Sequence, residues 1–223
     1  MSKVVLIVAA HTDDEVLGCG GIIAKHVSNG DRVYATFLAD GVSSRPEASK
    51  KELEERNRAA KKAHSVLGIR QSYMLGFPDN RMDSVPLLDI VQKLEQLINE
   101  LQPEVVYTHH QGDLNVDHQI THRAALTACR PVPGASVKEL YAFEVLSATD
   151  WNDPGSSPFI ANKFVDISDY LDKKLEALKA YELEMRHVPH TRSIENSIRL
   201  ALLRGNSVGV EAAEALCLIR AIS

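Results

Sequence analysis

A chain of 223 residues, 44% hydrophobic and 25% charged, has the ordinary balance of a soluble globular protein and enough length for one sizeable core. Its formal net charge of -5, with no basic stripe, argues against nucleic-acid binding through phosphate neutralisation. Cys19, Cys129 and Cys217 are widely spaced with no C-x-x-C pair, so neither a disulfide framework nor a cysteine zinc site is suggested; the short apolar N-terminus fits neither a membrane span nor a signal peptide, and the expected setting is a reducing cytoplasm.

Strand and helix patterns alternate along the chain. Val4 to Ala10 is a continuous apolar run, as expected for a buried parallel strand, and a helix-like stretch follows from Val16 to Val27. Asp31 to Ala39 reads as a second strand, Val42 to Ser49 as a loop, and Lys50 to Leu67 as a charged helix stopped by Gly68. A short third strand at Ser72 to Leu75 and a loop from Gly76 to Val85 precede the clearest helix, Leu87 to Leu101, whose Leu87, Val91, Leu94, Ile98 and Leu101 form one stripe. Val105 to Tyr107 is a fourth strand, Asp117 to Cys129 a helix, Glu139 to Val145 a fifth strand, and Lys163 to Ile167 an edge strand. Helices are expected at Ser168 to Met185, at Ile194 to Leu203 with Gly205 as C-terminal cap, and at the apolar end, Val210 to Ile222. The fold class is therefore α/β: one domain, residues 1–223, with a Rossmann-like, mostly parallel sheet, helices on both faces and a C-terminal helical region.

Two polar clusters interrupt this pattern. His11-Thr12-Asp13-Asp14-Glu15 follows the first strand, and Thr108 to Gln119 follows the fourth; in doubly wound sheets these strand ends flank one crevice. Thr12 and Glu15 fit a helix capping box, which leaves His11 and a second aspartate unexplained. The competing reading is a metal site. Zinc needs three protein ligands and one open position. His11 and Asp14, three residues apart, can face one side of a helix start, and His118 from the second cluster completes the set; Asp13 is left free to act as general base. His122 shares a helix face with His118 but lies a turn deeper, and His26 and His64 read as ordinary surface or core histidines. A rival reading, a sugar-nucleotide binding module using Gly18, Gly20 and Gly21, lacks G-x-G-x-x-G spacing and would set acids against a pyrophosphate.

AHTDDEVLGCGG together with NVDHQITHRA resembles the PIG-L/LmbE-like zinc de-N-acetylases, which carry A-H-P-D-D-E after the first strand and a later Asp-His pair, here Asp117-His118. The C-terminal KLEALKAYELEM and RHVPHTRS segments also look like that family's ending. The resemblance implies Zn2+ held by His11, Asp14 and His118, Asp13 as general base, and hydrolysis of N-acetyl groups from amino sugars or their conjugates. Two departures stand out. Thr12 replaces the usual proline, and Asn115 stands where the family usually has a histidine that steadies the oxyanion or protonates the leaving amine. His190 is the favoured replacement, with His109 and His110 as further candidates and Asn115 itself able to donate a hydrogen bond. Arg45, Arg192 and His110 are the expected substrate-binding side chains, and Asp117 is either an orienter of a metal-binding histidine or a helix cap. A small N-acetylated sugar is the expected partner, with no nucleic acid and no membrane span; an amidase on a non-sugar substrate remains an alternative, and the oligomeric state is open.

Overall fold

A computed structural model describes residues 2–44 and 50–223. Among these residues, seven strands form one sheet in the order β3-β2-β1-β4-β5-β7-β6. In chain order the elements are β1 (Val4–Ala9), α1 (Asp14–Ser28), β2 (Arg32–Ala39), α2 (Lys50–Leu67), β3 (Gln71–Phe77), α3 (Leu87–Leu101), β4 (Val105–His109), α4 (Val116–Ala128), β5 (Glu139–Phe143), β6 (Lys163–Asp166), α5 (Leu171–Ala180), α6 (Ile194–Asn206) and β7 (Ala213–Ala221). The first five strands are parallel, whereas β7 runs antiparallel to both its neighbours.

The continuous apolar run of β1 has a direct cause. Alternate side chains point to opposite faces, and both faces are covered. Val5, Ile7 and Ala9 join a core with residues of α1, α2, α5 and α6. Val4, Leu6 and Val8 join a second core with residues of α3 and α4. The strand order reverses between β1 and β4, which pair directly with Val8 opposite Thr108. Their carboxyl ends therefore abut, which is where α/β sheets open a ligand crevice.

The expected terminal helix at Val210 to Ile222 is instead β7, inserted between β5 and β6. Helix-forming Ala, Glu and Leu in AEALCLIRA are overridden because two strand edges need a partner, and a short apolar run cannot be assigned by periodicity alone. The helix expected through Met185 ends at Ala180, where the chain turns and buries Tyr181. Gly205 lies inside α6 rather than capping it. A Cβ at Gly205 would meet the backbone nitrogen and Cα of Ala212 at 2.7 Å. Among the described residues, no helix is long and apolar enough to cross a membrane.

Alanine at a helix interior normally gains about 0.5–1 kcal/mol over glycine. At Gly205 the clash with immovable backbone should outweigh that gain, giving a net loss of about 1–2 kcal/mol in urea unfolding. Gly155→Ala, where only Asp153 Oδ1 at 3.3 Å is near, should stay within about 0.5 kcal/mol of the parent. A stabilised Gly205→Ala protein would contradict the packing of α6 on the start of β7.

Candidate active site

The abutting ends of β1 and β4 bring both polar clusters together. The Ala10 backbone N–H donates to His109 Nε2 at 2.8 Å, stitching the two strand ends side chain to main chain. From there His11, Asp13 and Asp14 lead into α1, while Asp113, Asn115, Asp117 and His118 line the entry to α4. Asn115 caps α4 by accepting the Asp117 N–H at 2.8 Å, so the cap is Asn115 and the Asp117 carboxylate is released for other contacts.

His11 Nδ1, an Asp14 carboxylate oxygen and His118 Nε2 converge. Asp14 Oδ2 is 3.4 Å from His11 Nδ1 and 3.3 Å from His118 Nε2, with all three residues buried. Behind each histidine stands a carboxylate. His11 Nε2 is 3.0 Å from Asp117 Oδ2 and 3.1 Å from Asp79 Oδ1, and His118 Nδ1 is 2.9 Å from Asp113 Oδ2. Each support is itself held. Asp117 accepts N–H bonds from Asn80 and Met82, Asp79 accepts from Ser44, and Asp113 accepts the Thr149 hydroxyl.

Two imidazoles and one carboxylate, with the far nitrogen of each imidazole on a second carboxylate, is the donor set that suits a divalent ion of the zinc kind. Two overlapping trios, His109/Asp113/His118 and His11/Asp79/Asp117, also cluster closely enough to hold an ion. Asp14 Oδ2 accepts the His11 N–H at 2.9 Å and also lies against two imidazole nitrogens, whereas Asp79, Asp117 and Asp113 stand behind His11 and His118 and His109 Nε2 accepts the Ala10 N–H, so the outer trios read as supports of the central one. The electrostatics favour positive charge at the centre. Burial lowers the His11 and His118 pKa values, but the surrounding carboxylates outweigh it, leaving His11 well above the usual range and His118 at about 9. Burial pushes Asp14 up, yet His118, His109 and the hydrogen bonds from His11 and His118 hold it well below the usual range. His109, desolvated and beside His118, drops to about 4 and stays neutral.

Asp13 is set apart from its neighbour. Its backbone has φ 116°, a conformation rare outside glycine, and the strain is held from several sides. Glu15 accepts the Asp13 N–H at 2.9 Å, while Arg56 from α2 donates to Thr12 Oγ1 at 2.8 Å and to the Thr12 carbonyl at 2.7 Å. The Asp13 carboxylate sits between two guanidinium groups, 3.5 Å from Arg56 NH2 and 3.2 Å from Arg192 NH1. Burial raises its pKa to about 6 against the pull of both arginines. Its neighbour Asp14 is held deprotonated by histidines, so the two adjacent acids are separated in character.

The expected residues fall into three groups. His11, Asp13, Asp14, Asn115 and Arg192 line one cleft together with Arg56, Asp79 and Glu184. His118 and Asp117 form its buried floor. His190 is outside the cleft lining and joins it through Arg192, whose N–H its Nδ1 accepts at 3.0 Å. The expectation that His110 binds substrate meets a different geometry: the ring is buried, 3.0 Å from the Ser157 carbonyl and edge-on to Phe159, outside the cleft lining. Arg45 lies outside the described residues. His26 and His64 are partnered histidines, His26 with Asp31 and Tyr107 and His64 with Glu15. Sequence reasoning assigned no role to Asp79, Asp113, Arg56 or Glu184. Asp79 follows β3 at the carboxyl edge of the sheet, which is a usable signal; Arg56 is one of many charges on α2 and has none.

A family model described as PIG-L, GlcNAc-PI de-N-acetylase, matches residues 6–129, more than half of the chain and both polar clusters. The chain belongs to the PIG-L family. Another relative is the Uncharacterized deacetylase YaiS of Escherichia coli, 30% identical over 186 residues that cover 81% of this chain and 91% of that protein. The PIG-L fold is shared with the N,N'-diacetylchitobiose deacetylase of Pyrococcus horikoshii, at TM-score 0.79 and 20% identity over 98% of this chain and 84% of that one. It is also shared with the 4-carboxy-2-hydroxymuconate hydratase of Pseudomonas putida, at TM-score 0.76 and 24% identity over 99% and 98%. A deacetylase and a hydratase on one fold mean that the reaction must be argued from the site.

The geometry predicts about one divalent ion per purified chain, and elemental analysis should find it lost from His11→Ala and from His118→Ala. Full metal content in both variants would contradict the central trio.

Proposed function

We propose that this protein is a metal-dependent hydrolase that removes the N-acetyl group from an amino sugar or sugar conjugate, releasing acetate and a free amine. The observation that carries the reading is the three-residue donor set His11, Asp14 and His118 with the separately held carboxylate of Asp13 beside it. The family's description and the deacetylase name of its E. coli relative support the same reaction class. The proposed ligands are those three residues, with Asp117 and Asp79 orienting His11 and Asp113 orienting His118. A zinc ion held there supplies a Lewis acid that polarises the acetamide carbonyl and acidifies a water.

The chain's own residues divide the remaining steps. Asp13 takes the proton of the attacking water as its oxygen adds to the acetamide carbon. Arg56 and Arg192 fix the direction of that carboxylate. The oxyanion needs donors at the cleft wall, and the Asn115 side-chain N–H groups stand there, one of them already on Asn80 Oδ1 at 3.1 Å. When the C–N bond breaks, the departing nitrogen needs a proton. The proton that Asp13 has taken from the water is the proposed source. His190, whose Nδ1 accepts the Arg192 N–H and which therefore carries its own N–H on Nε2, is proposed as a second hydrogen-bond donor to the oxyanion. Arg192 is the proposed contact for sugar hydroxyls or a phosphate, and Arg45 is proposed from the sequence alone.

The test is acetate release by the zinc-loaded protein from a panel of N-acetylated sugars, sugar conjugates and N-acetyl amino acids. Turnover of sugars in preference to amino acids is expected. A metal-replete protein that releases acetate from none of them, or only from amino acids, overturns the reading. Within an active preparation, Asp13→Asn should keep its ion and lose roughly 10²–10⁴ in turnover. Asp14→Asn should lose the ion, with activity partly restored by added zinc. Rescue of Asp13→Asn by zinc, with a metal-replete and inactive Asp14→Asn, would show the two roles to be reversed.

A further inference from the structure

The cleft over the buried trio measures about 160 Å³. Sites that enclose a small-molecule ligand are typically roughly 300–1,000 Å³ and mostly apolar. This one is smaller, and apart from Gly41 every residue lining it is polar or charged. It can take an acetamido group and the atoms next to it. The body of a sugar must lie outside, against whatever the mouth presents. Hexopyranose rings carry C–H groups on a face that packs against aromatic rings, and nothing in the cleft offers such a surface.

The mouth does. Trp151, the only tryptophan in the chain, is 48% exposed. It belongs to the loop after β5, and β5 lies directly beside β4, so the loop leaves from the same carboxyl edge as both polar clusters. The turn leading to it is tight: Ser147 has φ 70° and its N–H donates to Asp150 Oδ1 at 2.6 Å. The Trp151 ring meets the His190 ring edge to face, at 5.2 Å between centroids and 63° between planes, and the side chain is otherwise half exposed. His190 in turn holds the Arg192 backbone, and Arg192 reaches back across the mouth to Ser147 Oγ at 2.9 Å and to Asp13 Oδ2 at 3.2 Å. One loop therefore grips Arg192 through Ser147 and carries Trp151 against His190, two residues before Arg192. An exposed aromatic ring and a guanidinium held by the same loop offer complementary contacts to a ring with an apolar face and hydroxyl edges.

We propose that Trp151 is a specificity-determining residue: its exposed ring face receives the C–H face of the sugar whose acetamido group enters the cleft, with Arg192 on the hydroxyls at its edge. The proposal deepens the deacetylase reading and rests on it for the identity of the reacting group. It assigns selection of the sugar to the mouth and leaves the chemistry to the polar floor.

Metal-loaded wild type, Trp151→Ala and Trp151→Phe are compared on N-acetylglucosamine and on N-acetylethanolamine, which has the same amide and no ring. In Trp151→Ala the KM for the sugar should rise roughly three- to tenfold with kcat little changed, the scale of one aromatic contact. Trp151→Phe should restore most of the loss, and kcat/KM for N-acetylethanolamine should be the same in all three. N-acetylglucosamine should also shift the fluorescence of this single tryptophan saturably. An unchanged sugar KM, or an equal loss on both substrates, overturns the proposal. So does a Trp151→Ala protein whose only change is in size-exclusion elution, which would make the ring a contact between copies of the chain. The two readings fail separately. Acetate release with no response at Trp151 removes the platform alone; saturable quenching without acetate release removes the deacetylase reading and keeps a sugar on the ring.

Discussion

Two adjacent carboxylates, Asp13 and Asp14, are withdrawn from water at the start of one helix, and the surrounding structure is arranged to tolerate both. An uncompensated buried carboxylate costs several kcal/mol, and two side by side also repel. The fold answers with two kinds of cationic partner on opposite sides. His11 from the end of β1 and His118 from α4 converge on Asp14. Arginines from α2 and from the loop before α6 converge on Asp13. Imidazoles offer lone pairs to an ion, whereas guanidinium groups cannot. The same solution to a solvation problem therefore gives the two adjacent acids different neighbours, imidazoles around Asp14 and guanidinium groups around Asp13.

The arrangement draws on the whole length of the chain. Helix α1, which presents Asp14, is interrupted at Cys19, with φ -149° and ψ 29°. Groups from the C-terminal half fill the gap left in its hydrogen bonding. Glu214 of β7 accepts the N–H groups of Gly21 and Ile22 at 3.0 and 2.7 Å, and Lys174 of α5 donates to the Leu17 carbonyl and to Glu214. Tyr181, just past α5, donates to Glu15 at 2.6 Å, and Glu15 holds the Asp13 backbone. These are buried polar groups satisfied by one another, the condition under which such networks rigidify rather than weaken a core. The matched family segment ends at residue 129, but Lys174, Tyr181 and Glu214 brace α1 and the Glu15 carboxylate from beyond that point.

What could be read beforehand follows from where the information is local. The β1 run, the polar block at His11 to Glu15 and the Asp117-His118 pair each carry their meaning within a few residues, and the switch-point rule placed them together. Long-range support is not written locally. Arg56 becomes distinctive only when α2 packs beside Thr12. Asp113 and Asp79 become supports only when His118 and His11 turn toward them. His110 shows the converse: its neighbour sequence is polar, while its ring is buried against the Ser157 carbonyl and Phe159. The terminal strand was hidden because its composition favours a helix and only the unpaired edges of β5 and β6 decide otherwise.

The most direct measurement is a crystal structure of the zinc-loaded protein with anomalous data collected across the zinc edge. The account predicts one strong peak at roughly 2.0–2.2 Å from His11 Nδ1, an Asp14 oxygen and His118 Nε2, with Asp13 unbonded to it and still between Arg56 and Arg192. A peak on the Nε2 side of His11, bonded to Asp79 and Asp117, or an ion bonded to Asp13, would contradict it.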